Sequence, residues 1–346
     1  MSLSGTFQYT YYPKTFDWSS GDDYLAITGD SYSEGAGDSF LNNDRDYSIA
    51  HFLHQDSGQN FLIFGRSGYG SVSAATSVVE NIRFSHFSPY FRDLGTPEEI
   101  LFFFYEGNDL NNNLEFLNYH GIKPGENFDR EIEQAIRAHQ ASGYTDWKIR
   151  LRAFVPTIDL LANLYRHMPI LLGFKEPDPN GEEVWRDDRS TILSAPDGNL
   201  GLPPLQTAAV ELTDDEIDRA IRVFDASINY LKTTFPETPI RVVYLPSIVG
   251  VYDWESDIRI QKYTSSSKNR TTAEENNRVS RKIRERFAEL GAEQGWDLID
   301  TTPMLRAEAK TAILHGPEDW YHFNQRGYEQ VAKALLRQPM SDQASQ

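Results

Sequence analysis

Short apolar runs recur along the chain, separated by polar segments of helix length. They are Tyr24-Leu25-Ala26-Ile27, Asn60-Phe61-Leu62-Ile63-Phe64, the stretch from Glu99 to Tyr105, Ile240-Arg241-Val242-Val243-Tyr244-Leu245 and Trp296-Asp297-Leu298-Ile299. Runs this short, bounded by Gly, Pro and polar residues, predict buried strands over about 23–28, 60–64, 99–105, 240–245 and 296–299. The third is apolar almost throughout, as a strand covered on both faces must be. Strands alternating with helix-length segments predict a parallel sheet with crossovers. The first three runs end in polar, Gly-containing clusters, and a parallel sheet brings those clusters to one edge.

Between the strands the apolar period changes to that of helices. Tyr47, Ala50, His51 and His54 share a face of a helix expected over about 44–54, and another is expected over 128–139. Thr213-Asp214-Asp215-Glu216 is a capping-box sequence that opens a stripe of Ile217, Ile221, Phe224, Ile228 and Leu231. Thr272 and Glu275 repeat the pattern ahead of Val279, Ile283, Phe287 and Leu290. A last helix starts near Gln325, with Asn324 as N-cap and Tyr328, Val331, Ala332 and Leu335 inward. Residues 5–22 lack a period and read as a lead-in arm. The strand–helix rhythm fails over 111–236, read as an insertion or cap; within it, 149–172 is apolar but carries Pro156 and Asp159, and 174–204 reads as a long loop.

Length and charge narrow the choice of partners. A chain of 346 residues is long for one domain, and it reads as a single domain, 1–346, carrying that insertion. The 33 Lys and Arg against 51 Asp and Glu give a formal net charge of −18, which repels nucleic acid and anionic membranes. With no Cys, disulfides, thiolate catalysis and Cys-ligated zinc are excluded. No apolar run is long enough to predict a membrane span. No signal peptide is visible. If Met1-Ser2-Leu3-Ser4 is the scar of a removed leader or anchor, an extracytoplasmic location is favoured; otherwise the compartment is open.

The polar clusters carry the candidate chemistry. Gly29-Asp30-Ser31 follows the first strand, placing Ser31 above the sheet edge where open α/β folds put their ligands. Read alone, that serine is better explained as an N-cap. Gly65-Arg66-Ser67-Gly68-Tyr69-Gly70 follows the second strand and fits neither a dinucleotide fingerprint nor a P-loop. Glu106-Gly107-Asn108-Asp109 follows the third. Asp319-Trp320-Tyr321-His322 lies in the loop before the last helix, with a carboxylate and an imidazole spaced to meet. With Ser31 they supply the nucleophile, base and orienter of acyl transfer. His51 and His54 are three apart but lack a third ligand, so no metal is expected, and no cofactor is.

Together these motifs resemble the SGNH hydrolases, the GDSL lipase and esterase superfamily. Gly29-Asp30-Ser31 is similar to the family's nucleophile block, Gly68 to its oxyanion-hole glycine, Asn108 to its oxyanion-hole asparagine, and Asp319 with His322 to its D-x-x-H block, followed by Asn324 and Gly327. The match covers about 23–110 and 240–337. It departs at Glu106, since the third block often reads G-x-N-D, and at Ile63 or Phe64, where the second often has Asn. The resemblance implies an α/β fold: a three-layer α/β/α sandwich with a five-stranded parallel (flavodoxin-like) sheet and a large, mostly helical insertion. It implies Ser31, His322 and Asp319 as triad, and Ser31, Gly68 and Asn108 as oxyanion hole. Asp30, Asp109 and Asn324 are expected to support them.

The expected activity is hydrolysis of short acyl esters such as acetyl, on a small molecule or a carbohydrate. The alternatives are an O-acyltransferase acting on a polysaccharide with the same triad, and a non-catalytic carbohydrate-binding module. A lipase reading is weaker, because no amphipathic membrane helix offers an interfacial anchor.

Overall fold

The computed structural model describes residues 10–12, 23–42, 47–87, 93–143, 189–196, 198–261 and 268–337. The apolar stretch 149–172, most of the arm at 5–22 and the start of the first expected helix lie outside them. Along the chain the strands are β1 (Thr10–Tyr12), β2 (Leu25–Thr28), β3 (Phe61–Ile63), β4 (Glu99–Tyr105), β5 (Thr191–Ala195), β6 (Gly198–Leu202), β7 (Ile240–Leu245), β8 (Ile258–Arg259), β9 (Arg270–Thr271) and β10 (Asp297–Asp300). The helices are α1 (Ser31–Glu34), α2 (Asp38–Leu41), α3 (Ile49–Ser57), α4 (Ser71–Phe87), α5 (Asp109–Tyr119), α6 (Phe128–Gly143), α7 (Asp214–Thr234), α8 (Ile248–Val251), α9 (Ala273–Gln294), α10 (Thr302–Ala309) and α11 (Gln325–Arg337).

The main sheet runs β1-β3-β2-β4-β7-β10. Its last five strands are parallel, and taken in chain order they lie 2-1-3-4-5, the flavodoxin-like arrangement. Period-two alternation divides each strand between two cores. Leu101, Phe103 and Tyr105 of β4 face one way, with Leu25 and Ile27, into residues of α3 and α11. Ile100, Phe102 and Phe104 face the other way into α4, α7 and α9. There Phe224 of α7 stands edge-on to Phe102 and Phe104 at 5.1 Å from each. Helices on both faces make this a three-layer α/β/α sandwich. A third cluster, with Leu117, Phe128, Ile132, Ile136 and Val223, packs α5 and α6 against the outer side of α4 and α7. No helix among the described residues is long and apolar enough to cross a membrane.

Three local readings need correction. Residues 10–12 are an edge strand antiparallel to β3, Thr10 opposite Ile63, rather than part of an aperiodic arm. Part of the expected loop at 174–204 is a hairpin, β5 with β6, whose alternation buries Thr191 and Leu193. The described part of the first expected helix starts at Ile49, where Ser48 caps it by accepting from the His51 N–H. Thr213 and Glu216 close a full capping box. Thr272 accepts from the Glu275 N–H, but the Glu275 carboxylate bonds Lys268 and Thr271 instead of closing the second half.

One buried carboxylate ties the end of β4 to its surroundings. Glu106 is fully buried and accepts from the Ser247 N–H at 2.8 Å, the Ser247 hydroxyl at 2.7 Å, the Ser280 hydroxyl at 2.8 Å and the Tyr244 hydroxyl. Burial pushes its carboxyl up, and these hydrogen bonds pull it back. Glu106→Leu strands several buried donors, each costing about 1–3 kcal/mol. It should lower the unfolding free energy by roughly 3 kcal/mol or more in urea titration with an unchanged m value. A loss under about 1 kcal/mol would contradict this role.

Candidate active site

The parallel strands deliver the loops after β2, β3 and β4 to one edge of the sheet. After β2 the chain turns into α1, with Asp30 as N-cap: its carboxylate accepts from the Tyr32 N–H at 3.0 Å. Ser31 is therefore the first helical residue and not the cap, and its side chain is released for other bonds. The turn is tight, since a Cβ on Gly65 of the next loop would fall 1.8 Å from the Ser33 hydroxyl and 2.7 Å from the Gly29 carbonyl. Beyond it, the Tyr69 N–H donates to the Arg66 carbonyl at 3.0 Å. That turn holds Gly68 at φ 83°, a left-handed position suited to glycine.

The loop before α11 completes the edge. His322 Nε2 lies 2.8 Å from Ser31 Oγ, and His322 Nδ1 lies 2.6 Å from Asp319 Oδ2. The other Asp319 oxygen accepts from the Tyr321 N–H at 2.9 Å. Burial works to raise the Asp319 carboxyl. The His322 hydrogen bond and charge, with the Tyr321 N–H, outweigh it and hold the group below its usual value. Hydroxyl, imidazole and carboxylate thus form one hydrogen-bonded line, an arrangement able to move a proton off the hydroxyl as it attacks an electrophile.

Asn108 occupies the N-cap position of α5 but makes no side-chain cap bond there. Its side chain instead stabilises the Asp30 carboxylate. Asp109, the next residue, accepts from the Tyr105 N–H at 2.9 Å through one oxygen, while its other oxygen is buried with no partner among the described residues. Asp30 and Asp109 are both buried and act on each other electrostatically. Burial, reinforced by the Asp30 charge, drives the Asp109 carboxyl well up. Asp30 is pushed up by burial too, but the Tyr32 N–H, the His322 charge, Asn108 and Ser31 all favour its anion. Both carboxyls are thus shifted toward the protonated form, Asp109 the more strongly and Asp30 against the pull of four stabilising neighbours. Asn324 caps α11, accepting from the Gly327 N–H at 3.2 Å, and its amide donates to the Ile313 carbonyl at 3.1 Å.

His51 and His54 take no part; His54 bonds the Gln59 carbonyl at 2.6 Å. Among the described residues no cluster of three or more His, Asp or Glu could hold a metal ion. Other residues at the edge escaped the sequence reading. Glu34 bonds Ser67, Asp38 bonds the backbone before His322, and the Tyr32 hydroxyl donates to the Tyr321 carbonyl at 2.6 Å. Behind the Asp319–His322 pair, buried His315 bonds the Tyr252 hydroxyl at 2.9 Å. Burial, then the nearby His322, lowers His315 to about 3, so it is a neutral ring at neutral pH.

No protein-family model matches the chain, and no curated protein sequence does. Among solved structures it is similar to the extracellular lipase of Streptomyces rimosus, at 13% identity over 92% of this chain and 100% of that one, with a TM-score of 0.42. It is also similar to phospholipase A1 of Streptomyces albidoflavus NA297, at 13% identity over 92% and 99%, TM-score 0.40. A third is the lipase Lip_vut3 from a goat rumen metagenome, at 12% identity over 91% and 96%, TM-score 0.37.

The carboxylate pair has a measurable consequence. An acid held above its ordinary 3.8 binds its proton more tightly folded than unfolded. Its contribution to stability is complete below that value and is lost as pH rises toward the folded one. Asp109→Asn removes that loss. The unfolding free energy of the variant relative to the parent should therefore shift in the variant's favour as pH rises above the ordinary 3.8. A pH-independent difference would contradict an Asp109 carboxyl held above its ordinary value.

Proposed function

We propose that this chain is a serine ester hydrolase of the SGNH type, acting on short acyl esters with Ser31 as nucleophile. The observation that carries the reading is the continuous line from Asp319 through His322 to Ser31, at 2.6 and 2.8 Å. In it, His322 Nε2 accepts the Ser31 proton as Oγ attacks the ester carbonyl, then returns it to the leaving alcohol. Asp319, held ionised, fixes the ring and stabilises the imidazolium.

The developing oxyanion is assigned to the N–H groups of Ser31 and Gly68 and to the Asn108 amide. That amide has two N–H bonds, so one can serve Asp30 while the other faces the substrate. Acetyl esters, of a small molecule or a carbohydrate, are the first substrates to try. An acyltransferase would share every group named, and release of free acetate against transfer from an activated donor separates the two.

Turnover of p-nitrophenyl esters of rising chain length tests the proposal. Acetate and butyrate esters should be cleaved in preference to long-chain ones, and Ser31→Ala should abolish turnover. Substantial activity in Ser31→Ala would overturn the assignment, and a long-chain preference the substrate class. Asn108→Ala should lower kcat about a hundredfold, a loss on the order of 3 kcal/mol of transition-state stabilisation, with an unchanged circular dichroism spectrum. Full activity in that variant would remove Asn108 from the oxyanion hole.

A further inference from the structure

The eight residues that begin with Ser31 do more than present a hydroxyl. Glu34 lies one turn after Ser31 on α1, and its Oε2 accepts from both the backbone N–H and the hydroxyl of Ser67, each at 2.7 Å. Ser67 immediately precedes Gly68. Four residues beyond Glu34, Asp38 accepts from two consecutive backbone N–H groups of the loop that carries Asp319 and His322. Its Oδ2 takes the Glu318 N–H at 3.2 Å and its Oδ1 the Asp319 N–H at 2.5 Å. Neither carboxylate serves its own short helix in these bonds. Each reaches across to a different loop, and each grips main chain.

We infer that Glu34 and Asp38 are positioning residues, set on the nucleophile's own segment to hold the Gly68 loop and the Asp319–His322 loop in register with Ser31. The inference rests on the ester-hydrolase reading for its catalytic consequence, and on the hydrogen bonds alone for its structural part. Carboxylates suit the task. An anion on a backbone N–H makes a stronger hydrogen bond than a neutral acceptor. Consecutive N–H groups such as those of residues 318 and 319 form a small anion-binding concavity that engages both oxygens. The pieces of the site come from loops far apart in sequence, and an error of about 1 Å in such a constellation costs on the order of a hundredfold in rate. Tying both loops to the segment that bears Ser31 sets the distances among them by one short length of backbone. Glu34 thereby acts on the oxyanion side and Asp38 on the triad side.

That division is what an experiment can read. Glu34→Gln and Asp38→Asn preserve shape and remove charge, and both proteins are to be examined well below their melting temperatures. In spectra selectively labelled with nitrogen-15, Glu34→Gln should move the Ser67 amide resonance and leave Glu318, Asp319 and the His322 ring in place. Asp38→Asn should move Glu318, Asp319 and the His322 ring and leave Ser67. With p-nitrophenyl acetate, each variant should lose about tenfold in kcat with little change in KM. Resonance changes spread equally over both loops, or none in either, would overturn the assignment. So would a local pattern as expected with kcat within twofold of the parent. If the parent itself hydrolyses no ester, the functional reading fails separately, and the resonance pattern alone decides whether the carboxylates hold these loops.

Discussion

A hydroxyl and an imidazole 291 residues apart in sequence share a hydrogen bond of 2.8 Å, and the rest of the structure bears on keeping it. Such a bond tolerates little error in distance or angle. The parallel sheet fixes the Ser31 end, because β2 is held between β3 and β4 and delivers its turn to an edge shared with both. The His322 end belongs to a loop, which the sheet does not fix. It is held by Asn324 bonding back to Ile313, by the Tyr32 hydroxyl on the Tyr321 carbonyl, by Asp38 on two N–H groups and by Phe323 packed edge-on to Tyr32 at 4.9 Å. Regular structure provides one partner, and a web of side-chain bonds to main chain provides the other.

The same edge collects negative charge in a chain already at −18, and environment gives each carboxylate a different state. Asp319 stays ionised against an imidazole. Asp109, buried beside another carboxylate, is pushed well up. Asp30 lies between, satisfied by a backbone N–H and neighbouring side chains. Carboxyl groups pushed apart in this way are a recurrent means of assigning distinct roles to like residues in one cavity. Glu106, a little further back, meets the same difficulty by accepting from Tyr244, Ser247 and Ser280.

How much of this was legible varies with the range of the interaction. The five parallel strands were, because an apolar run buried between helix layers has a local pattern, and β4 and β7 begin and end where that pattern does. The edge strand at Thr10 was not, since three residues hold no period and their state comes from pairing with β3. The β5–β6 hairpin was not, because the stretch around it is rich in Pro, Gly and Asp and reads as loop, while its alternation at Thr191 and Leu193 is only a few residues long. At the candidate site, Ser31, Asp319 and His322 could be named because their residue types and strand-end positions coincide. Glu34, Asp38 and His315 could not. A carboxylate bonded to distant backbone, or a ring buried behind a loop, leaves no spacing to find.

The most direct test of the central claim is a crystal structure of the protein after reaction with a small alkyl phosphonate that carries a good leaving group. The account predicts phosphorus bonded to Ser31 Oγ, with the phosphoryl oxygen within hydrogen-bonding distance of the Ser31 and Gly68 N–H groups and the Asn108 amide, and His322 still bonded to Asp319. Phosphorus on another residue, or no adduct at all under conditions that inactivate serine hydrolases, would contradict it.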